Sequence, residues 1–229
     1  MVYINCSHYE LCSHPSSLFD AGGLLREANK SVLADAIWKR LGDTTNHVLN
    51  NCNYVLDGGS LLQSIPWKVG SIYDEICTTY YVDYVSNRFG VNATVVFDGS
   101  SEDHTTKDMT HNRRSHGNVG PTVHFTKSMN MKKDVFLCNK KNKQQFINLL
   151  AEKLRNNVIE VIHSSGDADL LIVQTAMDKL LASPTTAIVG SDTDLLILLC
   201  HYSNDDTDGL FMVSDTISKM GKRQQLGMH

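Results

Sequence analysis

The stretch AIVGSDTDLLILL, from Ala187 to Leu199, contains the pattern that predicts the fold of this chain. An apolar run ends at Gly190, two aspartates follow at Asp192 and Asp194, and a second apolar run begins at Leu195. A short apolar run that ends at glycine is typical of a buried strand, and α/β proteins usually build their sites where such strands end. The stretch therefore predicts that carboxylates lie at one edge of the core.

Three further predicted strands show the same arrangement. Each is short and apolar and is followed by one or two acids: residues 54–56 by Asp57, residues 93–97 by Asp98, and residues 158–162 by Asp167 and Asp169. Apolar residues at helical spacing lie between these strands, at residues 71–89, 146–154 and 170–181. Alternating strands and helices predict an α/β fold, a three-layer α/β/α arrangement around a central, mainly parallel, twisted sheet.

The length of 229 residues suits one main domain with a short segment on each side. Residues 1–50 are interpreted as an N-terminal extension that is partly helical, because apolar residues at helical spacing follow Ser31, a predicted N-cap, and continue to Leu41. Residues 51–215 form the predicted α/β domain, with two further short strands expected at 122–125 and 210–213. Residues 216–229 are expected to form a flexible tail.

The acids at the strand ends are predicted to lie together. The carboxyl ends of parallel strands are on one side of a sheet, so six carboxylates should converge there. Like charges raise one another's pKa unless a cation lies among them, and a ligand set of carboxylates alone suits Mg²⁺ or Mn²⁺. Asp167 and Asp192 have an alternative role as helix N-caps, which leaves Asp169 and Asp194 able to face a metal. The candidate metal ligands are Asp57, Asp98, Asp167, Asp169, Asp192 and Asp194.

The charge distribution indicates a nucleic-acid partner, although the whole chain carries a net charge of −4. Residues 99–166 contain eleven Lys or Arg against six acids, so this segment is +5 and the remainder is −9. A single lysine in such a segment is more often a solvated surface residue than a ligand contact. The candidates for binding nucleic acid are Lys127, Lys132, Lys133, Lys140, Lys141 and Lys143.

Taken in order, these motifs resemble the flap endonuclease and XPG-type branch of the PIN-like nuclease superfamily. The resemblance covers residues 54–199 and rests on the strand-end Asp57, VVFDG at 95–99, the downstream Lys107, Arg113 and Arg114, GDAD at 166–169, and GSDTDLL at 190–196. It implies a PIN/FEN-like nuclease domain at residues 51–215 that uses two Mg²⁺ or Mn²⁺ ions to hydrolyse phosphodiester bonds in single-stranded or branched DNA or RNA. It also implies that Lys107, Arg113 and Arg114 act at the scissile phosphate.

Two alternatives remain open at this point. The chain has Asp-X-Asp at 167–169 where the family has Glu-X-Glu, and a further family acid has only Asp205, Asp206 and Asp208 as candidates. These departures favour a catalytically impaired nucleic-acid-binding or scaffold protein derived from such a nuclease. A small-molecule phosphohydrolase is the other alternative, although Asp57 lacks the nearby second acid of a DxD nucleophile motif. The cysteines and histidines at positions 6, 8, 12 and 14 are too closely spaced for an ordinary zinc site.

The sequence predicts an intracellular protein, nuclear or cytoplasmic, with no membrane partner. No run reaches the roughly 18 apolar residues of a membrane span, and the first residues lack the features of a signal peptide. The six cysteines are scattered, as is typical of free thiols in a reducing compartment. Protein partners are not indicated.

Overall fold

The computed structural model describes residues 16, 19–24, 30–41, 52–99, 121–125, 128–203, 209–214 and 224–227. The strands are β1 Asn53–Asp57, β2 Ala93–Phe97, β3 Glu160–His163, β4 Thr186–Val189, β5 Leu210–Ser214 and β6 Gln224–Gly227. The helices are α1 Lys30–Leu41, α2 Gly58–Ser64, α3 Tyr73–Glu75, the π-helical segment Ile76–Val82, α4 Asp83–Phe89, α5 Lys133–Cys138, α6 Lys140–Asn156, α7 Ala168–Ala182 and α8 Thr193–Tyr202.

The strands form one sheet in the order β3-β2-β1-β4-β5-β6. The strands from β3 to β5 are parallel, and β6 pairs antiparallel with β5. Leu56 of β1 lies opposite Val95 of β2 on one side and Val189 of β4 on the other. After β1 the chain adds β2 and β3 toward one edge of the sheet. It then returns to β4, beside β1, and adds β5 and β6 toward the other edge. This reversal creates a crevice at the carboxyl ends of β1 and β4.

Successive residues of the strands point to opposite faces, and each face carries its own helical layer. On one face Leu56 belongs to a buried cluster with Tyr81, Phe136 and Phe146, which come from the π-helical segment, α5 and α6. On the other face the neighbouring Val55 packs with side chains of α7 and α8. Helices on both faces of a largely parallel sheet confirm the predicted three-layer α/β/α fold.

Two predicted strands differ from the structure. The strand predicted at 158–162 begins at Glu160, because Val158 lies in a turn after α6 with a φ of 64°. The strand predicted at 122–125 is absent: the Val123 N–H donates to Asn142 Oδ1 at 2.9 Å, and Asn142 Nδ2 donates to the Pro121 carbonyl at 2.9 Å. A buried side chain of α6 therefore provides the hydrogen bonds that a sheet neighbour would otherwise supply.

The start of α1, the helical stretch before β2 and the C-terminal segment also differ in detail from the prediction. Helix α1 begins at Lys30, so Ser31 lies inside it and is not its N-cap. The predicted helix at 71–89 is observed as one continuous helical stretch from Tyr73 to Phe89, with a π-helical middle part. Strand β6, at Gln224–Gly227, lies within the segment that was expected to be flexible.

Candidate active site at the carboxyl edge of the sheet

Asp57 ends β1 and caps the helix that follows. Its Oδ1 accepts hydrogen bonds from the Gly59 N–H at 2.8 Å and from the Ser60 N–H at 3.2 Å. The N–H groups of the first helical turn have no carbonyl partner within the helix, and an aspartate at this position accepts hydrogen bonds from them. The carboxylate is thereby fixed at the mouth of the crevice, at the point where the sequence predicted a site.

The aspartates after β3 and β4 repeat this arrangement. Asp167 Oδ1 accepts from the Asp169 N–H at 3.2 Å and caps α7, and Asp192 Oδ1 accepts from the Asp194 N–H at 3.0 Å and caps α8. The N-capping role considered for Asp167 and Asp192 is therefore observed. In each pair the first acid orients the backbone of the second, which lies in the first turn of the helix.

The loops after β1 and β4 come into contact across the crevice. The hydroxyl oxygens of Ser60 and Ser191 lie 3.2 Å apart. Gly190 lies beside Asp57: a Cβ on this glycine would lie 2.8 Å from Leu195 Cδ2, 3.4 Å from the Asp57 Cβ and 3.8 Å from its Oδ2. The absence of a side chain at residue 190 therefore leaves space beside the second carboxylate oxygen of Asp57.

The pKa of Asp57 responds to burial and to the acids at two neighbouring strand ends. Burial raises the pKa of the Asp57 carboxyl above its usual range, while the hydrogen bonds from Ser60 and Gly59 lower it. The negative charges of Asp192 and Asp98 raise the same pKa further. Carboxylates that repel one another in this way provide an environment that favours a bound cation.

The six candidate ligands are not all equally near to one another. Asp57, Asp98 and Asp192 follow the adjacent strands β1, β2 and β4, whereas Asp167 and Asp169 follow β3, which lies beyond β2. Among the described residues, no three His, Cys, Asp or Glu side chains are grouped closely enough to hold a metal ion. Mg²⁺ commonly keeps several waters and uses one or two carboxylates together with substrate phosphates, so a pair of these aspartates fits the chemistry of such an ion.

Lys30 is a residue of this site that the sequence did not predict. Its ammonium Nζ forms an ion pair with Asp194 Oδ2, and its backbone carbonyl accepts a hydrogen bond from Thr193 Oγ1 at 3.3 Å. Lys30 begins α1, far from Asp194 along the chain, and no local pattern marks this pairing. The N-terminal helix therefore supplies a cation to the acidic edge of the sheet.

Lys133, one of the predicted nucleic-acid-binding residues, makes its contacts within the protein. Its Nζ donates to the carbonyls of Gln63 and Ile65, each at 2.7 Å, and lies 5.9 Å from the centre of the Trp67 ring. These carbonyls belong to the C-terminal end of α2, where backbone acceptors have no helical partner. Lys133 thus hydrogen-bonds the C-terminal end of α2, and Asp57 caps the N-terminal end of the same helix.

The pH dependence of stability offers a test of this role. Burial lowers the pKa of Lys133 from 10.5 to about 8. The unfolded chain keeps this proton up to pH 10.5, so between pH 8 and 10.5 the unfolded state binds more protons and the Lys133 contribution to stability rises with pH. The neutral amine keeps two N–H donors for the two carbonyls.

We expect the unfolding free energy of the wild type to gain about 1 to 2 kcal/mol relative to Lys133→Met over this range, after allowance for partial exposure. Chemical denaturation at pH 8, 9 and 10 measures the difference. Lys132→Met, at the exposed neighbouring position, serves as the matched control. Its unfolding free energy should change with pH in the same way as that of the wild type. A Lys133→Met profile parallel to that of the wild type would contradict the assignment.

The other predicted cations occupy different parts of the molecule. Lys140, Lys141 and Lys143 lie in the first turn of α6, and Lys132 is exposed just before α5. Because the C-terminal end of α6 leads directly into the start of β3, its N-terminal end lies toward the carboxyl edge of the sheet. Four predicted residues lie outside the described residues: Lys107, Arg113, Arg114 and Lys127. The same holds for Asp205, Asp206 and Asp208.

The fold and this edge define an α/β protein with acidic residues at a topological switch point. No protein-family model matches the chain, and no curated protein matches it. Among solved structures, the T5 D15 protein co-crystallised with metal ions is similar at a TM-score of 0.42 and 14% sequence identity. The match covers 75% of this chain and 56% of that chain, so this chain spans little more than half of it. A likeness of this size assigns neither a family nor a function.

Across the described helices, none has the length and apolar character needed to cross a membrane.

Proposed function

We propose that the protein is a divalent-metal-dependent nuclease that hydrolyses phosphodiester bonds of single-stranded or branched nucleic acid. The observation that carries the proposal is the position of Asp57, Asp98 and Asp192 at the carboxyl ends of the adjacent strands β1, β2 and β4. Burial, and to a smaller extent the charges of Asp192 and Asp98, raise the pKa of Asp57, and such a perturbed carboxyl is typical of a functional site. The ordered strand-end motifs of PIN-like nucleases give this site its expected chemistry.

The proposed cofactor is Mg²⁺ or Mn²⁺, with two ions in the full site. Asp57, Asp98, Asp167, Asp169, Asp192 and Asp194 are the proposed ligands, with each ion taking one or two of these carboxylates together with water and substrate phosphate. Such ions activate a water and stabilise the leaving oxygen of a phosphodiester. The protein's own contribution is orientation: the N-capping hydrogen bonds hold the carboxylates at the helix starts before any ligand arrives.

The lysines at the start of α6 support binding of nucleic acid. A helix N-terminus carries partial positive charge, so lysines in the first turn are unfavourable by about 0.3 to 1 kcal/mol each unless an anion lies nearby. This helix has no acid in its first turn to offset them. A phosphate backbone that follows the carboxyl edge of the sheet would bring negative charge to the start of this helix. Lys107, Arg113 and Arg114 are proposed to contact the scissile phosphate.

The test is cleavage of labelled single-stranded DNA, single-stranded RNA and a branched duplex in Mn²⁺ and in Mg²⁺. We expect chelator-sensitive cleavage, which Asp98→Asn and Asp192→Asn each reduce by at least about 100-fold because the metal site loses a negative ligand. Asp178→Asn, an exposed acid on α7, is the control for loss of one negative charge. If both site variants cleave as fast as the wild type, the site assignment is wrong.

A second candidate is a nucleic-acid-binding protein without catalysis. It is favoured by the finding that no three candidate ligands in the described part of the chain are grouped to hold a metal directly. Binding that weakens steeply with salt, with no turnover in any divalent ion, would support this candidate, since phosphate contacts alone produce such a salt dependence. Turnover that a chelator abolishes would exclude it.

A further inference from the structure

We propose that Lys30 is a built-in counter-cation that competes with divalent metal for Asp194, so that the N-terminal helix restrains metal loading. This inference rests on the proposed metal-dependent function. It gives residues 30–41 a regulatory role that neither the strand-end motifs nor the fold assigns to them.

The contact is made to the carboxylate of one of the proposed metal ligands. Lys30 Nζ lies against Asp194 Oδ2, and Asp194 is in the first turn of α8 directly after the crevice. The Thr193 hydroxyl bonds the Lys30 carbonyl, so the backbone at the start of α1 is also held at this point. Two links therefore hold the ammonium at the acidic edge, one through its side chain and one through its main chain.

Part of the apolar surface of α1 is exposed at its first turn. Ile37 packs partly buried against the cluster of α7 and α8, whereas Val32 and Leu33 of the same helix remain 60% and 46% exposed. A helix start whose apolar side chains are exposed opens at a smaller free-energy cost than the core. Ion competition at Asp194 can therefore displace Lys30 without disturbing the sheet.

The ion pair is also weak enough for a divalent ion to compete with it. The side chains of Lys30 and Asp194 are 49% and 48% exposed, so water and salt screen their attraction. A divalent ion carries twice the charge of the ammonium and would be attracted by the neighbouring Asp192 as well as by Asp194. Lys30 therefore weakens metal binding without preventing it.

The test measures Mn²⁺ affinity directly, by electron paramagnetic resonance of the free ion, in the full chain without substrate. Removing the competitor in Lys30→Gln should tighten Mn²⁺ binding by about two- to fivefold, the range that an exposed ion pair can supply. Lys39→Gln removes the same charge from the last turn of the same helix and should bind Mn²⁺ like the wild type. Lys30→Arg keeps a cation that pairs well with a carboxylate, so it should bind Mn²⁺ no more tightly than the wild type.

The outcomes separate this inference from the proposed function. If the wild type binds Mn²⁺ and Lys30→Gln binds it with the same or lower affinity, the role of Lys30 is wrong while the metal site stands. Equal gains in Lys30→Gln and Lys39→Gln would reduce the effect to net charge and would also overturn the role. If no variant binds Mn²⁺, the proposed metal-dependent function and this inference both fail.

Discussion

Asp57→Asn is expected to reduce metal-dependent cleavage by at least about 100-fold without lowering the stability of the protein. Asparagine is as good an N-cap as aspartate, so its Oδ1 can still accept from the Gly59 and Ser60 N–H groups. The substitution removes the charge that Asp192 and Asp98 repel. Activity and stability should therefore respond in opposite directions, as is typical of a residue held for function at a cost to the fold.

The sign of the stability effect follows from the direction of the pKa shift. The Asp57 pKa is raised in the folded state, so at neutral pH folding disfavours its charged form. Between the usual carboxyl pKa and the raised one, the folded state binds more protons, and the Asp57 contribution to stability increases as pH falls. Asp57→Asn should lack this component and should be at least as stable as the wild type at pH 7.

Asp57→Ala is the matched control, because it removes both the charge and the cap. The lost cap should cost about 1 kcal/mol, so we expect the alanine variant to melt about 2 to 4 °C below the asparagine variant. Thermal melts without metal and cleavage assays in Mn²⁺ provide the two measurements. An asparagine variant that cleaves nucleic acid at the wild-type rate would remove Asp57 from the site, and one that melts with the alanine variant would contradict the capping argument.

The parts of this site that the sequence predicted are those encoded by local pattern. Asp57, Asp98 and Asp192 each follow a short apolar strand, and parallel strands necessarily bring such residues to one edge. A few consecutive residues mark each strand end, and the alternation of strands with helices implies that the strands run parallel. The effect of the Asp98 and Asp192 charges on the Asp57 pKa then follows from the strand order.

The parts that the sequence did not predict depend on contacts between distant segments. Lys30 reaches Asp194 through the packing of α1 on α8, and Lys133 bonds carbonyls at the end of α2. A lysine has the same local appearance whether it is solvated, pairs with an acid or caps a helix end. Val123 shows the same limit: the residues around it have the sequence pattern of a strand, yet its N–H donates to a side chain of α6.

Gly99→Ala is expected to be the most destabilising of the substitutions considered, lowering the unfolding free energy by about 3 kcal/mol or more. A Cβ on Gly99 would lie 1.8 Å from the Ser164 carbonyl oxygen and 3.0 Å from its carbon. Both are backbone atoms that cannot rotate away, and the Ser164 N–H also donates to the Phe97 carbonyl at 2.9 Å. The ends of β2 and β3 would therefore have to separate, and Asp98 would move with them.

For a chain of this size that loss corresponds to a melting temperature lower by about 6 to 12 °C, measured by circular dichroism or calorimetry. Gly166→Ala provides the control in the loop that follows β3, because a Cβ there would meet nothing within 4 Å. It should melt within about 1 °C of the wild type, since substitutions at exposed positions usually have small effects. If Gly99→Ala melted with this control, the close approach of β2 and β3 beside Asp98 would be wrong. The proposed site would then lack the backbone contact that holds Asp98 in place.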